Sequence, residues 1–233
     1  MSEILEQDAA IHGIGTVAGR YLIGRQTMNP GVNLFACRLR SISTGEFTVV
    51  APVIPTLGET ISASFGPFGT LKGHVLRQTD EGFTVLLKLD PEARLALSMR
   101  MKAFRNRAWT GLHERRADRR FMPREPRTVI ARPDGWAQPC LIVDYSTSGA
   151  AISAAFQPDV GEVVSIGQVT AEVVRLFDVG FAVRFFEKQD AGDIESRLEA
   201  PEDWRRAIQH FRARHRPADE PDLFGTHDWS GTV

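Results

Sequence analysis

Two short stretches of the chain carry the residue types best suited to binding chemistry. The first is a basic segment at residues 113–124, which contains Arg115, Arg116, Arg119 and Arg120. A guanidinium group offers planar, forked donors that can bind a phosphate bidentately, bind the O6/N7 edge of guanine or stack on a base. The segment therefore predicts contact with an anionic partner.

The second stretch begins 24 residues after Arg120 and contains Asp144, Ser146 and Gly149. Because Asp144 and Ser146 alternate along an expected strand, their side chains share one face. A carboxylate at that position can accept hydrogen bonds from N1–H and N2–H of guanine, and a hydroxyl can contact a base or a phosphate. Gly149 permits a tight turn or a close approach of the ligand. Together the two stretches predict a site for an anionic small molecule that contains guanine.

At these residues the chain resembles the PilZ family. That family is marked by R-x-x-x-R on a flexible N-terminal arm and by [D/N]-x-S-x-x-G on the following barrel strand. Arg116-x-x-x-Arg120 and Asp144-x-Ser146-x-x-Gly149 fit the two patterns. The resemblance implies an antiparallel barrel of six strands closed by a C-terminal helix, with cyclic di-GMP held between the arm and the barrel. It also implies that the arginines bind guanines and phosphates, while the three later residues contact guanine from the barrel side.

The register of the first motif stays open, because Arg115-x-x-x-Arg119 satisfies it as well. We favour Arg116 and Arg120, since Arg120 leads directly into Phe-Met-Pro, as the family's second arginine leads into the first strand. Arg115 and Arg119 can add contacts. The resemblance covers roughly residues 111–190.

Most of the sequence consists of short apolar or β-branched runs separated by turn residues, which predicts strands. The predicted strands are residues 14–23, 34–42, 47–53, 60–65, 71–77 and 83–89, and then residues 129–131, 140–144, 150–153, 163–166, 169–176 and 181–186. Asp90-Pro91-Glu92 has the composition of a helix start, and a rough apolar stripe (Leu95, Met99, Met101 and Phe104) follows it toward Trp109. Helical spacing returns from residue 194 to about residue 215.

We therefore expect a mainly β protein with two tandem small antiparallel β-barrels, both PilZ-like and each followed by a helix. Residues 1–110 are the expected N-terminal domain, a degenerate PilZ-like barrel with a linker helix. Residues 111–217 are the expected PilZ domain with its ligand-binding arm and C-terminal helix, and residues 218–233 the expected flexible tail.

The two halves resemble each other in the same order, which indicates a duplication. The matching segments are residues 37–45 with 140–149, 58–61 with 161–164, 73–77 with 171–175, and 82–83 with 180–181. The first half loses the site: Ser41 stands where Asp144 stands, and no R-x-x-x-R precedes it. We expect its role to be structural or protein-binding.

Composition limits the functional classes. The net charge of −1 disfavours a general polyelectrolyte-binding protein, although residues 94–132 hold 12 basic residues against three acids. Two cysteines, an acidic start and the lack of a long apolar run predict a cytoplasmic protein without stable membrane insertion. Metal-ligand spacings, nucleophile motifs and phosphate-binding loops are missing, so we expect no metal, no cofactor and no enzymatic activity.

The expected function is a cyclic di-GMP receptor and adaptor. The ligand would order a mobile arm at residues 111–124, change the contacts between the barrels, and so signal to a protein partner that the sequence does not identify. One alternative is a small-barrel protein that binds nucleic acid through residues 94–132, but Trp109 and Phe121 are few aromatic residues for base stacking. Another is a ligand-free PilZ-like adaptor, which the presence of Asp144, Ser146 and Gly149 disfavours.

Overall fold

The computed structural model of the protein describes residues 10–24, 33–107 and 120–202. In chain order the strands are β1 (Ile11–His12), β2 (Ala18–Ile23), β3 (Leu34–Ile42), β4 (Glu46–Val50), β5 (Thr60–Phe65), β6 (Gly69–Gln78), β7 (Gly82–Leu87), β8 (Arg127–Ala131), β9 (Ala137–Ser146), β10 (Gly149–Ala154), β11 (Val163–Ile166), β12 (Val169–Phe177) and β13 (Gly180–Phe185). The helices are α1 (Pro91–Arg107) and α2 (Ile194–Leu198).

The first barrel is a closed ring of antiparallel strands. The ring runs from β3 through β2, β5, β6 and β7 to β4, which pairs with β3 again, and β1 extends the edge of β3. Strand alternation turns aromatic side chains to the inside, where Tyr21, Phe47, Phe65 and Phe83 are fully buried. Tyr21 OH donates a hydrogen bond to the carbonyl of Val53 at 2.5 Å, so the one polar atom of this aromatic core is satisfied.

The second barrel has the same topology. Its strands follow each other in the order β10-β13-β12-β11-β8-β9, and the pairing of β9 with β10 closes the ring. When β2 to β7 are matched in order with β8 to β13, every pairing of the first ring has a counterpart in the second. The expected fold, two tandem six-stranded antiparallel barrels each followed by a helix, is confirmed.

The duplication indicated by the sequence is also visible in the irregularities of the two rings. In β6, a bulge interrupts the pairing with β7 between Val75 and Arg77. In β12, the bulge against β13 lies between Val173 and Arg175. The glycine N–H before β5 donates to the Val75 carbonyl at 2.8 Å, and the glycine N–H before β11 donates to the Val173 carbonyl at 2.7 Å. The two barrels thus share a local design as well as a strand order.

Helix α1 packs on the first barrel. Its predicted N-cap is formed, because Asp90 Oδ1 accepts a hydrogen bond from the backbone N–H three residues later, at 2.7 Å. The predicted apolar stripe was wrong in part: Leu97 and Met101 are buried against the barrel, whereas Leu95 and Met99 are 61% and 65% exposed. Spacing of four residues places Leu97 and Met101 on one helix face.

Helix α2 begins at Ile194, as predicted, but ends at Leu198. Glu199 is extended, with φ −62° and ψ 148°, and Pro201 two residues later disfavours a helical conformation of the residue before it. The single helix expected to run to residue 215 is therefore interrupted. Its remaining part, like the expected tail, lies outside the described residues. In the described parts of the chain, neither helix has the length and apolar character needed to cross a membrane.

The two barrels meet along β3 of the first and β9 and β10 of the second. Ala36 N donates to Ser153 Oγ at 3.0 Å, and Ser153 Oγ donates to the Val179 carbonyl at 2.6 Å. Beside these hydrogen bonds, Ala36 packs with Val50 and Leu141 in a small buried apolar cluster. This junction places the N-terminal barrel directly behind strand β9.

Candidate ligand-binding site

A cleft of about 450 Å³ on the second barrel brings together the sequence-predicted residues that the structure describes. It is lined by Arg120, Asp144, Ser146, Ser148, Gly149, Ala150, Ala151, Val174, Arg175, Ala182, Val183 and Arg184. The predicted residues Arg120, Asp144, Ser146 and Gly149 are all on this list. Arg115, Arg116 and Arg119 lie outside the described residues.

Strand β9 aims two polar side chains at the cleft because its residues alternate. Asp144 and Ser146 line the cleft, while Tyr145 between them is buried in the barrel core. Ser146 Oγ lies 3.2 Å from Ser148 Oγ and accepts from Ser148 N at 3.3 Å, which orders the turn between β9 and β10. The predicted shared face of Asp144 and Ser146 is therefore present.

Arg120 and Asp144 form an ion pair at the mouth of the cleft. Arg120 Nη1 donates to Asp144 Oδ1 at 2.8 Å and to Oδ2 at 3.0 Å. The contact is held by the backbone of the next residues, because Phe121 N donates to the Tyr145 carbonyl at 2.7 Å and Tyr145 N donates to the Phe121 carbonyl at 2.9 Å. Side-chain exposures of 40% for Arg120 and 26% for Asp144 leave both groups accessible to a ligand.

The packing of two strands explains why residue 149 is a glycine. It pairs with Arg184 in β13, and a Cβ at this position would lie 2.3 Å from the Val183 carbonyl oxygen. Since no side chain fits there, glycine lets β10 approach β13 closely. This close approach of β10 and β13 lies next to the cleft.

Two further arginines line the cleft, and the sequence analysis did not assign them to the site. Arg175 comes from β12 and Arg184 from β13. Arg184 Nη2 lies 2.7 Å from Glu172 Oε2, so its position is supported by an ion pair. With Arg120, three arginines line the cleft, against one lining carboxylate, that of Asp144, and the Glu172 carboxylate that pairs with Arg184. The site therefore favours an anionic ligand.

Strand alternation explains why Arg175 was missed. In β12, Ala171 and Val173 are buried, so an unbroken alternation would place Arg175 inside the barrel. The bulge after Val173 shifts the phase and exposes Arg175. The sequence showed an arginine at this position, but the alternation of apolar residues could not place it on the outer face of the barrel.

The segment that leads from Arg120 into β8, residues 120–126, is called the arm exit below. Glu195 of α2 anchors it: Arg124 N donates to Glu195 Oε1 at 2.6 Å, and Tyr145 OH donates to Glu195 Oε2 at 3.3 Å. Burial, and then the negative charge of Glu195, raise the pKa of Tyr145, which stays a neutral donor. The arm exit is thus attached to both β9 and α2.

No protein-family model matches the chain, and no curated protein matches it. Solved structures do. The PlzA protein of Borreliella burgdorferi in complex with c-di-GMP is 13% identical, with a TM-score of 0.26, over 84% of this chain and 97% of that chain. The inhibitor of motility MotI/DgrA of Bacillus subtilis is 15% identical, with a TM-score of 0.27, over 85% and 99% of the two chains. YcgR of Escherichia coli in complex with c-di-GMP is 14% identical, with a TM-score of 0.25, over 79% and 82%.

The face of the N-terminal barrel that matches the cleft has fewer charged residues. Ser41 takes the place of Asp144, and Leu86 takes the place of Arg184 in the matching strand. Arg77, which matches Arg175, is paired with Glu46 at 3.1 Å. This face of the first barrel therefore keeps the shape of the strands without the charge arrangement of the cleft.

Proposed function

We propose that the protein is a PilZ-type receptor for cyclic di-GMP that signals to a protein partner, needs no cofactor and catalyses no reaction. The observation that carries the proposal is the convergence of Arg120, Asp144 and Ser146 with Arg175 and Arg184 in one cleft. Cyclic di-GMP combines guanine bases, which present N–H donors, with phosphodiester anions. The cleft offers an acceptor for the first and cations for the second.

On ligand binding, the Arg120–Asp144 ion pair exchanges partners. Asp144 accepts from N1–H and N2–H of a guanine, and Arg120 turns to a phosphate or to the guanine O6/N7 edge. Arg175 and Arg184 balance the remaining phosphate charge, and Ser146 contributes a hydroxyl. Each charge that leaves the ion pair meets an opposite charge or a hydrogen-bonding group, which limits the cost of breaking it.

The arm completes the site and carries the signal. Arg115, Arg116 and Arg119 add cations of the arm to those of the cleft. The arm exit contacts both barrels, since Arg38 of β3 also donates to the Pro123 carbonyl. A change in the arm therefore alters the contacts between the barrels, and a partner protein recognises that change. A trypsin digest with and without saturating cyclic di-GMP tests this step: the ligand should slow cleavage after the three arginines, and an unchanged pattern would refute the switch.

Three of the described arginines in the basic stretch are paired or buried, which disfavours a nucleic-acid function. Arg120 pairs with Asp144, Arg127 is buried at the junction of the barrels, and Arg132 lies 2.5 Å from Glu162. These groups do not form an open row of cations along which a phosphate backbone could lie.

Isothermal titration calorimetry with cyclic di-GMP tests the proposal. Wild type should bind, and the double variant Arg116→Ala/Arg120→Ala should lose binding. Arg77→Ala, which removes the arginine at the matching place in the first barrel, is the control and should bind like wild type. Cyclic di-AMP should bind weakly, because adenine lacks the N1–H and N2–H donors that Asp144 accepts. No binding by wild type would overturn the proposal.

A further inference from the structure

A single arginine of the N-terminal barrel reaches across the junction to the backbone of the ligand site. Arg38, in β3, donates from Nη1 to the Pro123 carbonyl at 2.6 Å. From Nη2 it donates to the Val143 carbonyl at 2.8 Å and to the Ile142 carbonyl at 3.3 Å. All three acceptors belong to the second half of the chain.

These carbonyls belong to the two backbone segments that carry the ion pair of the cleft. Val143 immediately precedes Asp144 on β9, and Pro123 lies three residues after Arg120 on the arm exit. The guanidinium of Arg38 therefore joins the arm exit to β9 from behind. Pro123 is the buried residue between the exposed Met122 and Arg124, so the Arg38 contact adds a third attachment to those with β9 and α2.

Arg38 is a charged residue in a buried position, which is unusual for a residue whose role is only packing. The residue is 4% exposed and Nε has no hydrogen-bond partner in the described structure, so its charge is held mainly by carbonyl groups. Burial lowers the pKa of Arg38, and the nearby carboxylates of Asp144 and Glu195 oppose that effect. An apolar side chain of similar volume would join the barrels at lower desolvation cost, but could not fix the two backbone segments in position.

We propose that Arg38 is a positioning residue for the cyclic di-GMP site: it makes the affinity of the C-terminal cleft depend on the N-terminal barrel. This inference rests on the proposed function. Arg38 does not line the cleft and acts by holding the backbones of Arg120 and Asp144 at the separation that the ligand requires. By linkage, ligand binding favours the same contact, so the N-terminal barrel senses whether the site is occupied.

The full-length variant Arg38→Met tests the proposal, with Arg127→Met as the matched control. Arg127 is also a buried arginine that crosses the junction, but its Nη1 donates to the Asp80 carbonyl of the first barrel rather than to the carbonyl of Pro123 or Val143. Arg38→Met should weaken cyclic di-GMP binding about tenfold or more, because it removes charge-assisted hydrogen bonds that set the geometry of the site. Arg127→Met should leave the dissociation constant within about threefold of wild type, although it too lowers the unfolding temperature.

One additional variant separates positioning from simple stability. Arg38→Lys, which keeps a charge and part of the hydrogen bonding, should fold and recover part of the lost affinity; it also serves as the test variant should Arg38→Met fail to fold. If wild type binds cyclic di-GMP and both Arg38 variants bind it as tightly as wild type, the inference is wrong while the receptor function stands. If Arg127→Met weakens binding as much as Arg38→Met, damage to the junction is the cause and the inference is also overturned. Wild type that does not bind refutes the receptor function itself.

Discussion

Arg120 Nη1 donates to both carboxylate oxygens of Asp144, at 2.8 and 3.0 Å. The motif residues that the sequence separates by 24 positions are therefore in direct contact in the fold. The ion pair keeps the carboxylate and the guanidinium oriented toward the cleft. It also means that the ligand competes with an internal partner, so the two residues should respond differently to substitution.

Asp144→Asn should weaken cyclic di-GMP binding by about tenfold or more. The amide has one acceptor oxygen and presents an NH₂ group to the guanine donors, and Arg120 loses its ionic partner at the same time. Calorimetry on the folded variant measures the effect, with Ser41→Ala at the matching position of the first barrel as the control. Equal affinities of Asp144→Asn and wild type would show that Asp144 does not contact the base.

Arg175→Ala should weaken binding and reduce its salt dependence. Arg175 lines the cleft from β12, so its removal takes one cation away from the phosphates while Arg120 and Arg184 remain. We expect a loss of about threefold to thirtyfold, with a shallower dependence of affinity on salt than in wild type. Titrations at several salt concentrations measure both quantities. An unchanged salt slope would place the phosphates elsewhere.

Much of the fold could be predicted because local patterns determine it. Alternation of apolar residues indicated the strands, and Asp90 indicated the start of α1, whose cap is present. The repeated order of segments indicated two similar units, and the two rings have one topology. The strands and the helix start depend on residues close together in the chain, and the repeat depends on comparing two such local patterns.

The features that could not be predicted depend on contacts between distant backbones. Arg38 binds carbonyl groups, and a carbonyl carries no side-chain identity that a sequence pattern could reveal. Arg175 is turned outward by a bulge that breaks the alternation. Gly149 fits its motif, but its close approach to Val183 is visible only once β10 and β13 are paired.

Gly149→Ala should destabilise the protein even without ligand. The added Cβ would lie 2.3 Å from the Val183 carbonyl oxygen, so β10 and β13 must move apart. We expect a loss of about 1–3 kcal/mol in the free energy of unfolding, measured by urea denaturation. Gly66→Ala is the control, because a Cβ there meets no atom within 4 Å. Unchanged stability of Gly149→Ala would mean that the strands adapt at no cost and that the glycine serves the ligand alone.

The stability of the protein should decline in alkaline solution because of its two cysteines. Cys37 and Cys140 are buried, one in each barrel core, and burial raises the pKa of both thiols above the ordinary value of 9.0. A raised pKa in the folded state means that the unfolded chain loses these protons first. The contribution of the two protonated thiols to the free energy of unfolding is therefore complete below pH 9 and decreases as the pH rises above it.

Urea denaturation from about pH 8 to about pH 10 measures this decline, whose slope can reach about 1.4 kcal/mol per pH unit for each thiol. The double variant Cys37→Ala/Cys140→Ala should have a flatter profile over this range. Tyr21, whose pKa burial also raises from an ordinary value of 10.0, should add to the decline in wild type and cause a decline in the double variant above about pH 10. Identical profiles for wild type and the double variant would show that the thiols ionise in the folded state, and rapid reaction of the native protein with a thiol reagent would then be expected.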